Sequence, residues 1–214
     1  MSGENLTQAR SAIKNYYRIH AKIYDLTRWT FLWGRWELIQ RAGRHGNPNH
    51  ILEVGCGTGR NLLHLGRLFP EAQLWGLDLS PDMLVQARKK LWRMDYRLTL
   101  LQASYDRPAA PGQFDLVVFS YALSMFNPGW DMAIETAIRD LSPTGMMAVV
   151  DFHDSPSAHF KRWMGFHHVC LDSHLLPQLR NSFYSGEWAV REAYRGLWSY
   201  FLFLGRDPAG LKAP

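Results

Sequence analysis

The chain has 214 residues, 47% hydrophobic and 20% charged, enough to bury one core without disulfide or metal staples. Its two cysteines, Cys56 and Cys170, lie far apart with no C-x-x-C pairing, which argues against a disulfide scaffold or a cysteine-rich zinc site and fits a reducing compartment. No long apolar run and no basic start followed by an apolar block occurs, so neither a membrane span nor a signal peptide is expected, and a cytoplasmic location is.

Charge divides the chain in two. Residues 1–47 carry eight Lys or Arg against three acids, a net +5, while the rest carries sixteen of each. Arg10, Lys14, Arg18 and Lys22 recur every four residues, with Ala12, Ile13, Tyr16, Ile19, His20, Ile23 and Tyr24 on the rest of the wheel, which predicts a basic amphipathic helix. Trp29, Trp33 and Trp36 follow, with Phe31 and Leu32 beside them and Arg28 and Arg35 interleaved. Such a belt suits the headgroup boundary of an anionic bilayer. It equally suits a capping helix packed over a ligand crevice with its charges solvated, and the two readings are compatible. Residues 1–47 are therefore expected to form a helical cap on a single domain spanning 48–214.

From His50 onward short apolar runs alternate with helical stretches, the pattern of a parallel sheet covered by helices. Strands are expected at 50–54, 73–78, 98–102, 114–120 and 145–151, and helices at 61–69, 81–92 and 130–141. Ser80 reads as the N-cap of the second helix, with Pro81 at its first position. Helices near 158–164 and 175–183 and two closing strands at 187–194 and 197–205 complete a seven-stranded, Rossmann-like, doubly wound, mostly parallel sheet.

The segment Ile51-Leu52-Glu53-Val54-Gly55-Cys56-Gly57-Thr58-Gly59 is a buried strand running into a glycine-rich turn and a helix. Gly55 and Gly57 permit positive φ and close backbone approach, and the first helical amides beyond Gly59 point at a ligand. The second strand ends at Asp78, a carboxylate able to accept both hydroxyls of an adenosine ribose. G-x-G-x-G alone is a weak signal. A dinucleotide is disfavoured because Arg60 and Asn61 stand where a third glycine belongs, and because Glu53 would repel a pyrophosphate. The same carboxylate suits an ammonium, and the ligand that joins ribose, adenine and a cationic amino acid is S-adenosylmethionine.

On these residues the chain resembles the class I methyltransferases, with 51–59 matching their first motif and Leu77-Asp78-Leu79-Ser80-Pro81-Asp82-Met83-Leu84 their second, over roughly residues 50–151. The resemblance implies S-adenosylmethionine as cofactor and S-adenosylhomocysteine as product. It places Glu53 and Gly55 at the methionine moiety, Asp78 at the ribose, and Leu79 with Met83 at the adenine. Cys56, Gly57, Gly59, Ala103, Ser104, Ser120 and Tyr24 complete the expected contacts. Met83 also reads as an ordinary core methionine. Gln102-Ala103-Ser104 replaces the family's usual Gly-Asp-Ala, so an adenine contact falls to the Ser104 hydroxyl or to a backbone group.

On the substrate side, 114–126 carries no Asn/Asp-Pro-Pro-Tyr block. Tyr121 reads as a ring flanking a substrate amine, where its face would favour the developing cation, and equally as a packing residue at a strand end. Methyl transfer from a sulfonium needs an aligned amine lone pair and exclusion of water; His153 or Asp151 are the candidate proton acceptors. His153, His159, His167, His168 and His174 fall close together, but their spacing matches no helical ligand pair, and no metal is expected.

Three further blocks, residues 24–35, 120–125 and 151–156 with 174–177, resemble the BtaB-type bacterial betaine-lipid N-methyltransferases. That resemblance implies trimethylation of the amine of diacylglycerylhomoserine at the inner face of the cytoplasmic membrane, beside the enzyme that makes this precursor. It implies Tyr16, Tyr17 and Tyr24 closing over the cofactor, Tyr121 and His153 at the amine, and Arg28 or Arg35 at the substrate carboxylate. Another lipid amine, phosphatidylethanolamine included, fits the same residues. An RNA-binding methyltransferase or a noncatalytic partner subunit would turn the basic cap to phosphates or protein; the neutral body argues against nucleic acid.

Overall fold

The computed structural model describes residues 32–166 and 169–209. The basic helix expected over residues 10–24, with Tyr16, Tyr17, Tyr24, Arg28 and Trp29, lies outside the described residues, as do His167 and His168.

The elements in chain order are α1 (Arg35–Gly43), β1 (His50–Val54), α2 (Arg60–Leu68), β2 (Gln73–Asp78), α3 (Pro81–Lys90), β3 (Leu98–Gln102), β4 (Phe114–Ser120), α4 (Trp130–Asp140), β5 (Leu141–Phe152), α5 (Ala158–Phe166), α6 (Leu175–Asn181), β6 (Phe183–Ala193) and β7 (Trp198–Pro208). The seven strands form one mixed sheet in the order β3-β2-β1-β4-β5-β7-β6. β1 to β5 are mutually parallel, and β7 runs antiparallel to both β5 and β6. Parallel strands covered on both faces need apolar residues on both, and Ile51, Leu52, Val54, Leu116, Val117, Val118 and Phe119 are all buried.

Each face has its own core. Ile51, Leu116, Val118, Ala148 and Val150 pack beneath α1, α2 and α3, together with Leu38, Ile39, Leu62, Leu65, Leu84 and Ala87. Leu52, Val117, Phe119, Met147 and Val149 pack beneath α4 and α6, with Ala133, Ile134, Ala137, Leu175, Leu176 and Leu179. Ser80 caps α3 by accepting from the Met83 amide at 3.4 Å, with Pro81 in the first turn. Arg97 stitches the β2–β3 side by donating to the carbonyls of Gly66, Phe69 and Ala72.

Several expected boundaries shift. β5 begins at Leu141, four residues before the expected start at 145; Leu141 pairs with Phe114 before an irregularity in the β4–β5 register. β6 begins at Phe183, where the sixth helix was expected to be ending. As an edge strand with most of its first half exposed, it lacks the apolar alternation that announces a strand.

Candidate active site

Every parallel strand ends at the same edge, and the chemistry-bearing residues are collected there, as open α/β sheets require. The turn after β1 carries φ +70° at Gly55, +53° at Gly57 and +73° at Gly59. A Cβ on Gly55 would stand 2.9 Å from that of Ala122, whereas one on Gly57 would meet nothing within 4 Å. Gly55 is thus required for packing, and Gly57 presents bare backbone to open space where a ligand can lie. No side chain caps the start of α2, so its first turn faces the crevice with the polarity that favours an anionic group.

Asp78, at the tip of β2, accepts from the Gly57 amide at 2.8 Å through one oxygen and from the Ser80 amide at 2.9 Å through the other. Burial raises its pKa, and these amides oppose the rise. Each oxygen keeps a further lone pair, so the fixed carboxylate can accept two ribose hydroxyls. Glu53 is 2% exposed. Its Oε1 accepts from Asn61 Nδ2 at 3.0 Å, while its Oε2 has no partner. Burial pushes its carboxyl up to about 8, against the pull of Arg35 and Asn61. A buried carboxyl oxygen without a partner is costly, and a cationic ammonium placed there would pair with it and favour the ionised form. Together, Glu53, the open Gly57 cradle and Asp78 fit S-adenosylmethionine.

Beside the glycine turn lies a cavity of about 220 Å³ lined by Leu32, Gly34, Arg35, Trp36, Arg60, Asn61 and His64. Arg35 Nε donates to Ser120 Oγ at 2.9 Å, and its guanidinium stands 5.8 Å from the Tyr121 ring centre. Tyr121 holds φ +55°. That strained conformation is fixed from three sides: its amide donates to Val150 O, its hydroxyl donates to Trp33 O at 2.7 Å, and its ring meets Phe152 edge-on at 4.6 Å. Tyr121 and Arg35 therefore clasp α1 to the end of β4. Replacing Tyr121 with Phe is expected to cost about 1 kcal/mol in thermal unfolding, the net worth of one neutral hydrogen bond, with the cofactor affinity retained.

The structure brings Glu53, Gly55, Gly57, Asp78 and Ser120 to one edge, with Ala103 adjoining, its amide 3.3 Å from Asp78 O. The Cys56 side chain belongs to the core beneath α2 and is 6% exposed, so only its backbone faces the turn. Met83 is 1% exposed; Leu79 is half-buried. Ser104 donates to Asp106 Oδ2 at 3.0 Å: a carboxylate stands two residues beyond Ser104, which the reading of 102–104 passed over. Asp151 is fully buried, accepts from the Ser124 and Phe152 amides, and is raised to about 6 by burial, so as a proton acceptor it has no direct access to a substrate. His153 is half-buried, Nδ1 has no partner, and burial lowers its pKa. Trp36 belongs to the aromatic belt read from sequence, and Arg60 and Asn61 entered there only against a dinucleotide; as lining residues Arg60, Asn61 and His64 come from the structure, with Asn61, eight residues after Glu53 and at the helix start, the legible one.

Residues 51–145 match the family model described as a methyltransferase domain. A malonyl-[acyl-carrier protein] O-methyltransferase of Legionella pneumophila is 38% identical over 97 residues, 44% of this chain and 32% of that protein. The chain spans a third to about half the length of the curated relatives it matches first. Among solved structures, a Burkholderia thailandensis 1,6-didemethyltoxoflavin-N1-methyltransferase with bound S-adenosylhomocysteine superposes with TM-score 0.73 at 14% identity, covering 98% of this chain and 92% of that one. A Haemonchus contortus phosphoethanolamine N-methyltransferase, holding phosphomonomethylethanolamine and S-adenosylhomocysteine, gives 0.69 at 16% identity, covering 83% and 53%. With the glycine turn, the fixed Asp78 and the strand order agreeing, residues 51–145 match a methyltransferase domain, set in a fold that the chain shares with methyltransferases solved with S-adenosylhomocysteine bound.

Proposed function

We propose that the chain is an N-methyltransferase acting on a lipid headgroup amine at an anionic membrane surface, and that it converts diacylglycerylhomoserine to its trimethylated betaine lipid. The observation that carries this reading is the cavity beside the glycine turn. Its lining includes the guanidinium side chains of Arg35 and Arg60, able to meet a carboxylate, and Trp36, which is 49% exposed, with Trp33 close in sequence at 47%. About 220 Å³ accommodates a zwitterionic headgroup but not two acyl chains, which would stay in the bilayer beside the tryptophans. Among the described residues no helix is long and apolar enough to cross a membrane, and the proposed attachment is peripheral, on the inner leaflet, with the precursor-forming enzyme as a neighbour.

S-adenosylmethionine, when bound, supplies an electrophilic methyl group on a sulfonium whose leaving thioether is neutral. Gly57 and Asp78 would hold its ribose end and Glu53 its ammonium. Arg35, fixed by Ser120, orients the substrate carboxylate. Tyr121 stiffens the wall on that side; the proton that each methylation releases passes to water or, through it, to His153, which stands just beyond β5 against Phe201 and does not line the cavity.

The experiment is methyl transfer from labelled S-adenosylmethionine to liposomes containing either diacylglycerylhomoserine or phosphatidylethanolamine, read by mass. Stepwise addition of three methyls to the homoserine lipid is expected. Reaction with phosphatidylethanolamine alone would replace the substrate, and transfer to neither, with cofactor bound, would end the lipid reading. A second reading, O-methylation of a carboxylate, is favoured by the malonyl O-methyltransferase relative and by the same two guanidiniums; its product would be an alkali-labile ester.

A further inference from the structure

Cys170, Asp172 and His174 each offer a donor atom, and these atoms all lie within 4.8 Å of one another. The segment is not extended: Ser173, at φ +62°, turns the chain between Asp172 and His174, and this bend folds the His174 ring back onto Asp172 beside Cys170. Cys170 Sγ lies 3.1 Å from Asp172 Oδ2, and His174 Nδ1 contacts Asp172 Oδ1. Zinc with sulfur at about 2.3 Å and nitrogen or oxygen at about 2.0–2.2 Å would separate tetrahedral donors by roughly 3.3–3.6 Å; the Cys170–Asp172 pair lies near that range, and an ion between Asp172 and His174 would replace their direct contact.

The loop is anchored by its backbone. The Cys170 amide donates to Ser124 O at 3.1 Å and the Ser173 amide to His153 O at 2.9 Å. The His174 ring packs against Trp130 with centroids 4.8 Å apart. These anchors join the loop to the segments just beyond β4 and β5, the edge that carries Tyr121 and His153. The donors therefore sit ready-made at the rim of the substrate side, and the mixture of thiol, imidazole and carboxylate is the set that zinc prefers.

We propose that Cys170, Asp172 and His174 form a binding site for a borderline-soft divalent cation such as Zn²⁺, with the fourth position open to water or an anionic oxygen. Binding displaces the Cys170 thiol proton to solvent as the sulfur–metal bond forms, so one proton is released per ion at this residue. The site does not depend on the identity of the methyl acceptor.

The test uses the untagged full chain, stripped with a chelator and titrated with Zn²⁺ against a chromophoric competitor, then with Co²⁺ by absorption. Wild type is expected to bind one equivalent, release protons, gain thermal stability with the metal, and show the thiolate-to-cobalt charge-transfer band. Cys170→Ser should abolish that band, and Cys170→Ser and His174→Ala should each weaken Zn²⁺ binding by about 100-fold. Asp172→Asn, at an exposed position, provides a milder variant should either of the others fail to fold as judged by circular dichroism. Absence of binding at micromolar Zn²⁺, or binding unchanged in the folded variants, would overturn the proposal.

Discussion

Replacing Asp78 with Ala is expected to lower the affinity for S-adenosylmethionine by about 100-fold, read by isothermal titration calorimetry. Two effects combine. Each hydrogen bond to a charged carboxylate contributes about 1.5–3 kcal/mol, and the change removes both ribose acceptors. It also leaves the amides of Gly57 and Ser80 without the oxygens that hold them at 2.8 and 2.9 Å, which loosens the turn whose bare backbone faces the ligand. Asp78→Asn separates the two contributions, since one amide oxygen remains to organise the turn while the charge is gone; about 10-fold weakening is expected. Affinity unchanged in both variants would remove Asp78 from the cofactor site.

Glu53→Gln is expected to flatten the pH dependence of stability. The Glu53 carboxyl titrates near 8 in the fold against 4.5 ordinarily, so between these values the native state holds a proton that the unfolded chain has released. Stability contributed by that proton falls as pH rises toward 8 and is constant beyond it. The glutamine variant escapes this loss and should gain on wild type as pH rises, by on the order of a few kcal/mol across the whole interval. Asp151, raised to about 6, and His64 and His153, lowered from 6.5, contribute equally to both proteins, so the difference between wild type and variant in chemical denaturation from about pH 6.5 to 8 reports Glu53. Adding cofactor to wild type should draw the proton off as an ammonium meets the unpartnered Oε2, so binding tightens with pH in wild type and not in the variant. A parallel pH profile for the two proteins would remove Glu53 from this role.

The sheet was legible because its strands are buried on both faces: β1 to β4 fall where apolar runs between turn residues place them, and Ser80-Pro81 marks the start of α3 by local chemistry alone. The outer strands were less legible. The polar start of β6 and the Pro143-Gly145 interruption in β5 are set by pairing with distant residues, which no local pattern records. The same division holds at the site. Gly55, Gly57 and Asp78 stand in a motif whose spacing is fixed by a single strand-turn-helix-strand unit, so sequence placed them. Arg35 meets Ser120 across 85 positions and Tyr121 meets Trp33 across 88, and contacts of that range follow from the fold, not from spacing. The histidine-rich stretch illustrates the same point: spacing among histidines led nowhere, while the alternation of Cys170, Asp172 and His174 mixes three donor types that a search for like residues does not see.

The strand order has a consequence for how such a chain can diversify. The groups assigned to the cofactor, from Glu53 through Asp78 to Ser104, belong to three neighbouring strands at one side of the sheet, joined by short crossovers whose loop closure is entropically cheap. Those proposed for the acceptor come from the ends of β4 and β5 and from the segment before β1. A mutation on that second side can alter what is methylated while the cofactor strands keep their pairing, so acceptor choice and cofactor grip can drift independently within one continuous sheet.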